Sequence, residues 1–216
     1  MMEDRCSSSH GCGESSYELS YKLAREQLAK ISDIPGRCRK SGARYVEPNE
    51  IVINYIGRQY HISVPEVEIS LESSEEEVPL KDRILILHYL TGANGTPATG
   101  KLIAHKQLPG GVSYFPAFCQ RAIAPLVKNF GESPDLLMEA ATRLGGHEGD
   151  YGDVSVTVSA FSRVPITLVL WRGDEEVPPN GNILFDANIS DYLSTEDVTV
   201  LCETIVWKLV RSIPAA

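Results

Sequence analysis

The chain lacks any long apolar run: no uninterrupted stretch approaches the ~20 residues that a helical membrane span requires, so no membrane association is expected. It also lacks an excess of positive charge. Twenty Lys and Arg stand against 29 Asp and Glu, a formal net charge of −9, which opposes the phosphate neutralisation that drives nucleic-acid affinity. The longest basic excess, Arg37 to Lys40, carries three charges in four residues with no interleaved aromatic. No nucleic acid is expected as a partner. Paired cysteines are missing as well. Cys6, Cys12, Cys38, Cys119 and Cys202 are odd in number, scattered and without a Cys-x-x-Cys pair, which suits reduced thiols in a reducing compartment. Cys6, His10, Cys12 and Cys38 offer four soft ligands in principle, but their spacing is unlike a zinc knuckle, and no metal site is expected. The opening residues MMEDRCSSSHGCG carry neither the basic region nor the apolar stretch of a secretion signal, so the expected compartment is the cytoplasm. There is no Gly-x-Ser-x-Gly elbow and no His-Glu-x-x-His helix to announce a hydrolase or a zinc protease.

What is present is an ordinary globular composition, 43% hydrophobic and 23% charged over 216 residues, which suits a single domain. Residues 1–13, rich in Ser and Gly, read as a disordered leader, and 14–213 as one domain. Ser15 and Glu18 suggest a capping box before a helix with Tyr17, Tyr21, Ala24, Leu28 and Ile31 on one face, ending near Ile34 because Pro35 and Gly36 follow. Ile51 to Ile56 and Tyr60 to Val64 read as a hairpin, and Val67, Ile69 and Leu71 as a possible extension of the sheet. The acidic run Glu72 to Glu77 reads as a solvated loop.

Further helices are expected from Leu80, from about Pro116 with a kink or split at Pro125, over 134–144, and after Ser194. Val154, Val156 and Val158 alternate with Ser155, Thr157 and Ser159, the pattern of a strand with one wet face. Ile166 to Trp171 has no such alternation and reads as a central strand buried on both faces. The expected fold is therefore α+β, a mainly antiparallel sheet of about five to seven strands packed with four to five helices.

Two segments attract a functional reading. Trp171 closes an apolar run and is followed by an Arg-Gly turn, Asp174, Glu175 and Glu176, then by a second apolar run ending in Asp186. Loops on a rigid scaffold commonly carry binding residues, although Gly, Pro and acidic residues also make an ordinary solvated hairpin. The second segment is His105, ahead of the Gly110-Gly111 turn that leads to Tyr114, Phe115 and Phe118. Together these suggest a pocket walled by Tyr114, Phe115, Phe118 and Trp171, with His105, Asp174, Glu175 and Asp186 as polar contacts. The competing reading makes His105 a hydrogen-bonded core residue, since no partner carboxylate is adjacent in sequence. Gly95 to Lys101 matches seven positions of a phosphate-binding loop, but Leu102 stands where the magnesium-binding hydroxyl belongs, and the segment reads as a turn. Cys119 and Cys202 read as small buried hydrophobes.

The segments YKLAREQLAKI, VPLKDRILILHYLTGANGTPATGKLIAHKQLPGGVSYFPAF and VPITLVLWRGDEEVPPNGNILFDANISDYL resemble an uncharacterised family of anaerobic bacteria and archaea, domain of unknown function family 3786, over most of residues 15–212. The resemblance implies relatives that carry a four-cysteine iron–sulfur domain like that of the corrinoid iron–sulfur protein. This chain has neither that cysteine spacing nor the Asp-x-His-x-x-Gly corrinoid signature. The resemblance implies an anaerobe and a neighbourhood of corrinoid, iron–sulfur or one-carbon chemistry, within which a non-catalytic cofactor-binding or accessory protein is the expected function. A corrinoid or other tetrapyrrole would then be the cofactor, and an iron–sulfur or corrinoid protein the partner in trans. The alternatives are an enzyme using the acidic residues of 174–186 and a protein–protein interaction module.

Overall fold

A computed structural model describes residues 11–213, with Ser73 excepted. The expected leader therefore lies outside the described residues, and Cys6 and His10 with it, except that residues 11–13 already belong to the first helix. That helix, α1, spans Gly11–Ala29, so Ser15 stands inside it and not at its start. The Pro35-Gly36 pair begins a helix where it was expected to end one. In α2 (Ile34–Ser41) the Asp33 carboxylate accepts from the Gly36 N–H at 2.7 Å, and Pro35 occupies the first turn, where its missing N–H has no bond to make.

Four short strands follow: β1 (Arg44–Val46), β2 (Glu50–Tyr55), β3 (Arg58–Ser63) and β4 (Ile69–Leu71). The β2–β3 hairpin turns through Ile56 and Gly57, at φ 46 and 72, the left-handed pair of a type I′ turn. Gly57 is required there for a second reason, because a Cβ would lie 2.6 Å from the Leu144 carbonyl oxygen. The acidic run forms a loop, with Glu76 and Glu77 meeting Arg58 and Arg83 in exposed ion pairs.

Next come α3 (Leu80–Gly92), β5 (Leu102–Ala104), α4 (Gly111–Phe118), α5 (Ala124–Phe130) and α6 (Asp135–Arg143). α4 starts at Gly111, five residues before the expected start, and holds Pro116 in its interior. The break expected at Pro125 takes the form of a π turn, Cys119–Ile123, that joins α4 to α5 and places Pro125 in α5's first turn. Widening one turn puts the residue without an N–H at a fresh helix start, where the ladder does not need it. The chain then makes β6 (His147–Glu148), β7 (Val154–Phe161), β8 (Val164–Trp171), β9 (Asn180–Asp186) and α7 (Thr195–Ser212). Ser194 caps α7 in a reciprocal box with Asp197. None of the described helices is long and apolar enough to cross a membrane.

Among the described residues all nine strands join one antiparallel sheet in the order β4-β3-β2-β7-β8-β9-β5, with β1 on β2 and β6 on β7. The fold is α+β, with more helices than the four to five expected, because α2 was not anticipated and the run that was expected to kink or split at Pro125 divides into α4 and α5. β8 is interior and covered on both faces: Ile166, Leu168 and Leu170 face the main core, and Thr167 and Val169 are buried on the other side. The wet face expected for β7 is only partly wet. Ser159 is exposed, but Ser155 is buried and accepts at its hydroxyl from the Tyr151 N–H of the turn at 149–152.

The sheet has a narrow seam. β2 meets β7 at one ladder pair, Tyr55↔Phe161, reinforced by Ile56 N–H donating to the Ala160 carbonyl at 3.0 Å. Aromatic rings bridge the gap: Phe161 lies 4.9 Å from Tyr55 and stacks on Tyr89 at 4.0 Å and 6°. Tyr89 in turn stacks on Tyr192 at 5.8 Å. α7 packs against α3, α4, the π turn, α5 and α6, so the α3–α7 contact closes over the same seam.

Candidate functional site

The residues singled out by sequence are divided between the two faces and two ends of the sheet. His105, Phe115 and Phe118 come together. The imidazole is fully buried, stacks on Phe118 at 4.1 Å and 16°, and lies 6.2 Å from Phe115. Its Nε2 is 3.0 Å from the Thr199 hydroxyl of α7, and burial pushes its pKa down, the surroundings of a packed core histidine. Tyr114 points outward from the same helix.

Trp171 and Asp186 occupy the opposite face. Side chains alternate along a strand, so Phe185 joins Phe118 on the helix-covered side while Asn180, Asn182 and Asp186 share Trp171's side. Trp171 pairs with Asn180, and the six residue steps from Asn180 to Asp186 separate the two by about 20 Å at ~3.3 Å per residue. The expected pocket and the acidic cluster of 174–186 are therefore not assembled, because a hairpin brings its loop back beside its start and carries the end of the return strand away.

Asp174 and Asp186 have local roles instead. Asp174 is exposed and accepts from the N–H groups of Glu176 and Val177, both at 2.8 Å, which holds its carboxyl below the usual range; Glu175 is exposed beside it. Asp186 is buried and accepts from the Thr99 hydroxyl and from the N–H groups of Thr99, Gly100 and Asn188. The segment that resembles a phosphate loop thus aims its amides at an anion, and the anion is this chain's own carboxylate. Of the cysteines, Cys38 and Cys202 are buried, and burial pushes the Cys38 thiol up to about 11 and that of Cys202 higher still.

The structure assembles a different site along the α3–α7 seam. A groove of about 550 Å³ is lined by Lys81 and Asp82 at the start of α3 and by Glu203, Thr204, Trp207, Lys208 and Arg211 of α7. At its floor the Asp82 carboxylate, 3% exposed, accepts from Lys208 Nζ at 2.9 Å and from the Tyr55 hydroxyl at 3.1 Å. Burial, and then Asp82, push the Tyr55 hydroxyl well above its ordinary pKa, so it remains a donor. On the wall, Glu203 is shared by Arg121 and by Lys81 at 3.6 Å. Three lining cations, Lys81, Lys208 and Arg211, thus face two carboxylates, and Arg211 is without an ion pair among the described residues. Trp207, 41% exposed, lies beside them.

Lys81 also lines an adjoining cavity of about 140 Å³ with Tyr17, His88 and Asp197, and His88 opens on its other side to a cleft of about 360 Å³ with Asn94 and Asp191. His88 Nδ1 is 2.7 Å from Asp197 Oδ1. The other carboxylate oxygen, Oδ2, accepts from the Ser194 hydroxyl at 2.7 Å. The Asp197 hydrogen bond raises the His88 pKa above its ordinary 6.5, against the effect of burial. Sequence reasoning missed both places. Asp82 and Lys208 are 126 residues apart, and His88 and Asp197 are 109 apart, so no spacing motif links them. The one signal was Trp207, off the apolar stripe of α7 and in need of cover.

A family model described as a domain of unknown function, DUF3786, matches residues 33–208. No curated protein and no solved structure matches the chain.

Proposed function

The chain belongs to the DUF3786 family, and from its geometry we propose that it is a binding or accessory protein that holds an anionic small molecule or cofactor in the α3–α7 groove. One observation carries this reading: a groove with surplus positive charge and an exposed tryptophan on a molecule whose net charge is −9. Local cations against an opposing overall field favour a bound anion over diffuse counter-ions, since close charges outweigh distant ones screened within about 10 Å. Trp207 adds a flat apolar wall for a ring or a carbon skeleton. The groove proper is suited to retention, because Lys208 is committed to Asp82 and Glu203 to Arg121. The association with corrinoid, iron–sulfur or one-carbon chemistry that the resemblance implies makes a cobalamin, with its phosphodiester, one ligand to try beside plain polyanions.

The test uses Trp207 as its own reporter. The chain has two tryptophans, so Trp171→Phe leaves Trp207 alone. Pyrophosphate and citrate are then titrated by fluorescence, and cobalamin is followed by its colour on gel filtration. Saturable binding that weakens at least tenfold in Arg211→Ala, and further with Lys81→Ala, is the expected result. No saturable response to any of the three, or equal affinity in the variants, removes the groove reading.

A further inference from the structure

We propose that His88 is the acid–base residue of a proton-transfer site that adjoins the groove, acting on water to hydrolyse small esters that carry an anionic group. The proposal rests on the groove reading for the anionic part of the substrate and goes beyond it for the reaction. Asp197 is the positioning residue. Its Oδ1 lies 2.7 Å from Nδ1, which fixes the neutral ring with its proton on Nδ1 and leaves the Nε2 lone pair free for the cleft. Asp197 is itself held by the Ser194 hydroxyl and N–H at the start of the 18-residue α7, where a carboxylate is favoured by the helix dipole. The imidazole is 32% exposed and lies where the 140 and 360 Å³ cavities meet, so a reactant can reach it from either side. Ser194 is not a nucleophile for this histidine, because its hydroxyl is donated to Asp197. Ser20 and Thr91 donate to helix carbonyls. The proton His88 accepts is therefore assigned to water.

Lys81 links this site to the groove, since it lines both. It precedes His88 by seven residues on one helix, two turns or about 10 Å along the axis and on nearly the same face. A ligand with its anion near Lys81 and its carbonyl near His88 is thus about the length of a five- or six-carbon half-ester. In the step proposed, a water O–H gives its proton to Nε2 as its oxygen bonds to the ester carbonyl carbon. The tetrahedral adduct then collapses with cleavage of the carbon–alkoxy bond, and the proton passes from Nε2 to the departing alkoxide. Ester and water become acid and alcohol, with no oxidant, reductant or further reactant. The charged groups around the ring are Asp197 and Glu196 from α7, Lys81 from α3 and Asp191 from the preceding loop, while α1 brings Tyr17, Ser20 and Gln27.

The test compares hydrolysis of mono-4-nitrophenyl glutarate and of neutral 4-nitrophenyl acetate by the full chain. The expected result is a rate that rises with pH as His88 loses its proton, with a midpoint above 6.5, and faster turnover of the glutarate. His88→Asn keeps a donor to Asp197 while removing Nε2, so it preserves the contact between helices. It should lower the rate at least 100-fold, the ordinary worth of a general base. His147→Gln, on exposed β6, should leave the rate unchanged, and Asp197→Asn should shift the midpoint downward. A wild-type rate no greater than that of free imidazole at equal concentration, or an unchanged rate in a folded His88→Asn, overturns the proposal. Loss of turnover in His88→Asn with equal rates for the two esters keeps the proton-transfer site and removes its link to the groove. Intact anion binding with no hydrolysis does the reverse.

Discussion

Asp186 shows how a residue can carry the right signals for a ligand contact and serve the chain itself. It ends an apolar run and is buried, but its two oxygens are occupied by the backbone of residues 99, 100 and 188 and by the Thr99 hydroxyl. Burial raises its pKa, and these hydrogen bonds more than reverse that, leaving the carboxyl below its ordinary value of 3.8. A depressed folded pKa means that this stability is complete above the unfolded value and is lost as the pH falls through the folded one. Asp186→Asn should therefore cost about 1.5–3 kcal/mol at neutral pH, the worth of charge-assisted hydrogen bonds. Chemical denaturation at pH 7 and below pH 4 checks this: the gap between variant and wild type should narrow in acid. A gap that persists there would mean that the asparagine fails by shape and not by charge. The sequence marked this residue as special but could not show whose amides it serves, because Thr99 is 87 residues away. His88 and Asp82 were invisible for the same reason, each having its partner in α7.

Among the elements, the strands were the most legible. β8 is a run of apolar and β-branched residues, and its interior position follows from the absence of polar alternation. Leu168 is fully buried and faces the core, so Leu168→Ala should cost about 2–5 kcal/mol in equilibrium unfolding, and a loss below ~1 kcal/mol would place it on a surface. Helix boundaries were read less well: the cap expected at Ser15 falls inside α1, and the other misreadings lie at Pro or Gly. Pro35-Gly36 signals a stop only if the chain is already helical when it arrives; with Asp33 ahead to cap, the same pair is a start. Gly110 and Gly111 were read as a turn, but the Gly110 φ of 69 ends the turn and Gly111 begins α4. A Cβ on Gly111 would lie 2.0 Å from the His105 carbonyl oxygen, a close approach between local segments that composition alone does not reveal.

At the scale of the whole molecule, two strand groups are joined by one ladder pair at Tyr55 and Phe161, so the helices above must supply the rest of the connection. The Tyr55, Asp82 and Lys208 contacts tie β2, α3 and α7 at one point beneath the proposed groove. Asp82 is 3% exposed and Lys208 25%, so removing the cation strands a buried carboxylate whereas removing the carboxylate leaves an ammonium that can still find water. The costs should be unequal. Lys208→Met should lose about 3 kcal/mol, the low end for breaking a buried pair because Lys208 is partly wet. Asp82→Leu should lose less, and the double variant should recover most of the Lys208→Met loss, a coupling above ~1 kcal/mol. Urea unfolding of the four proteins measures this, and additive losses would show the pair to be independent surface groups. The same cycle bears on the groove, since Lys208→Met leaves Asp82 as a bare anion at its floor. Anion binding should weaken in Lys208→Met and return in the double variant, provided that Lys81 and Arg211 hold the ligand.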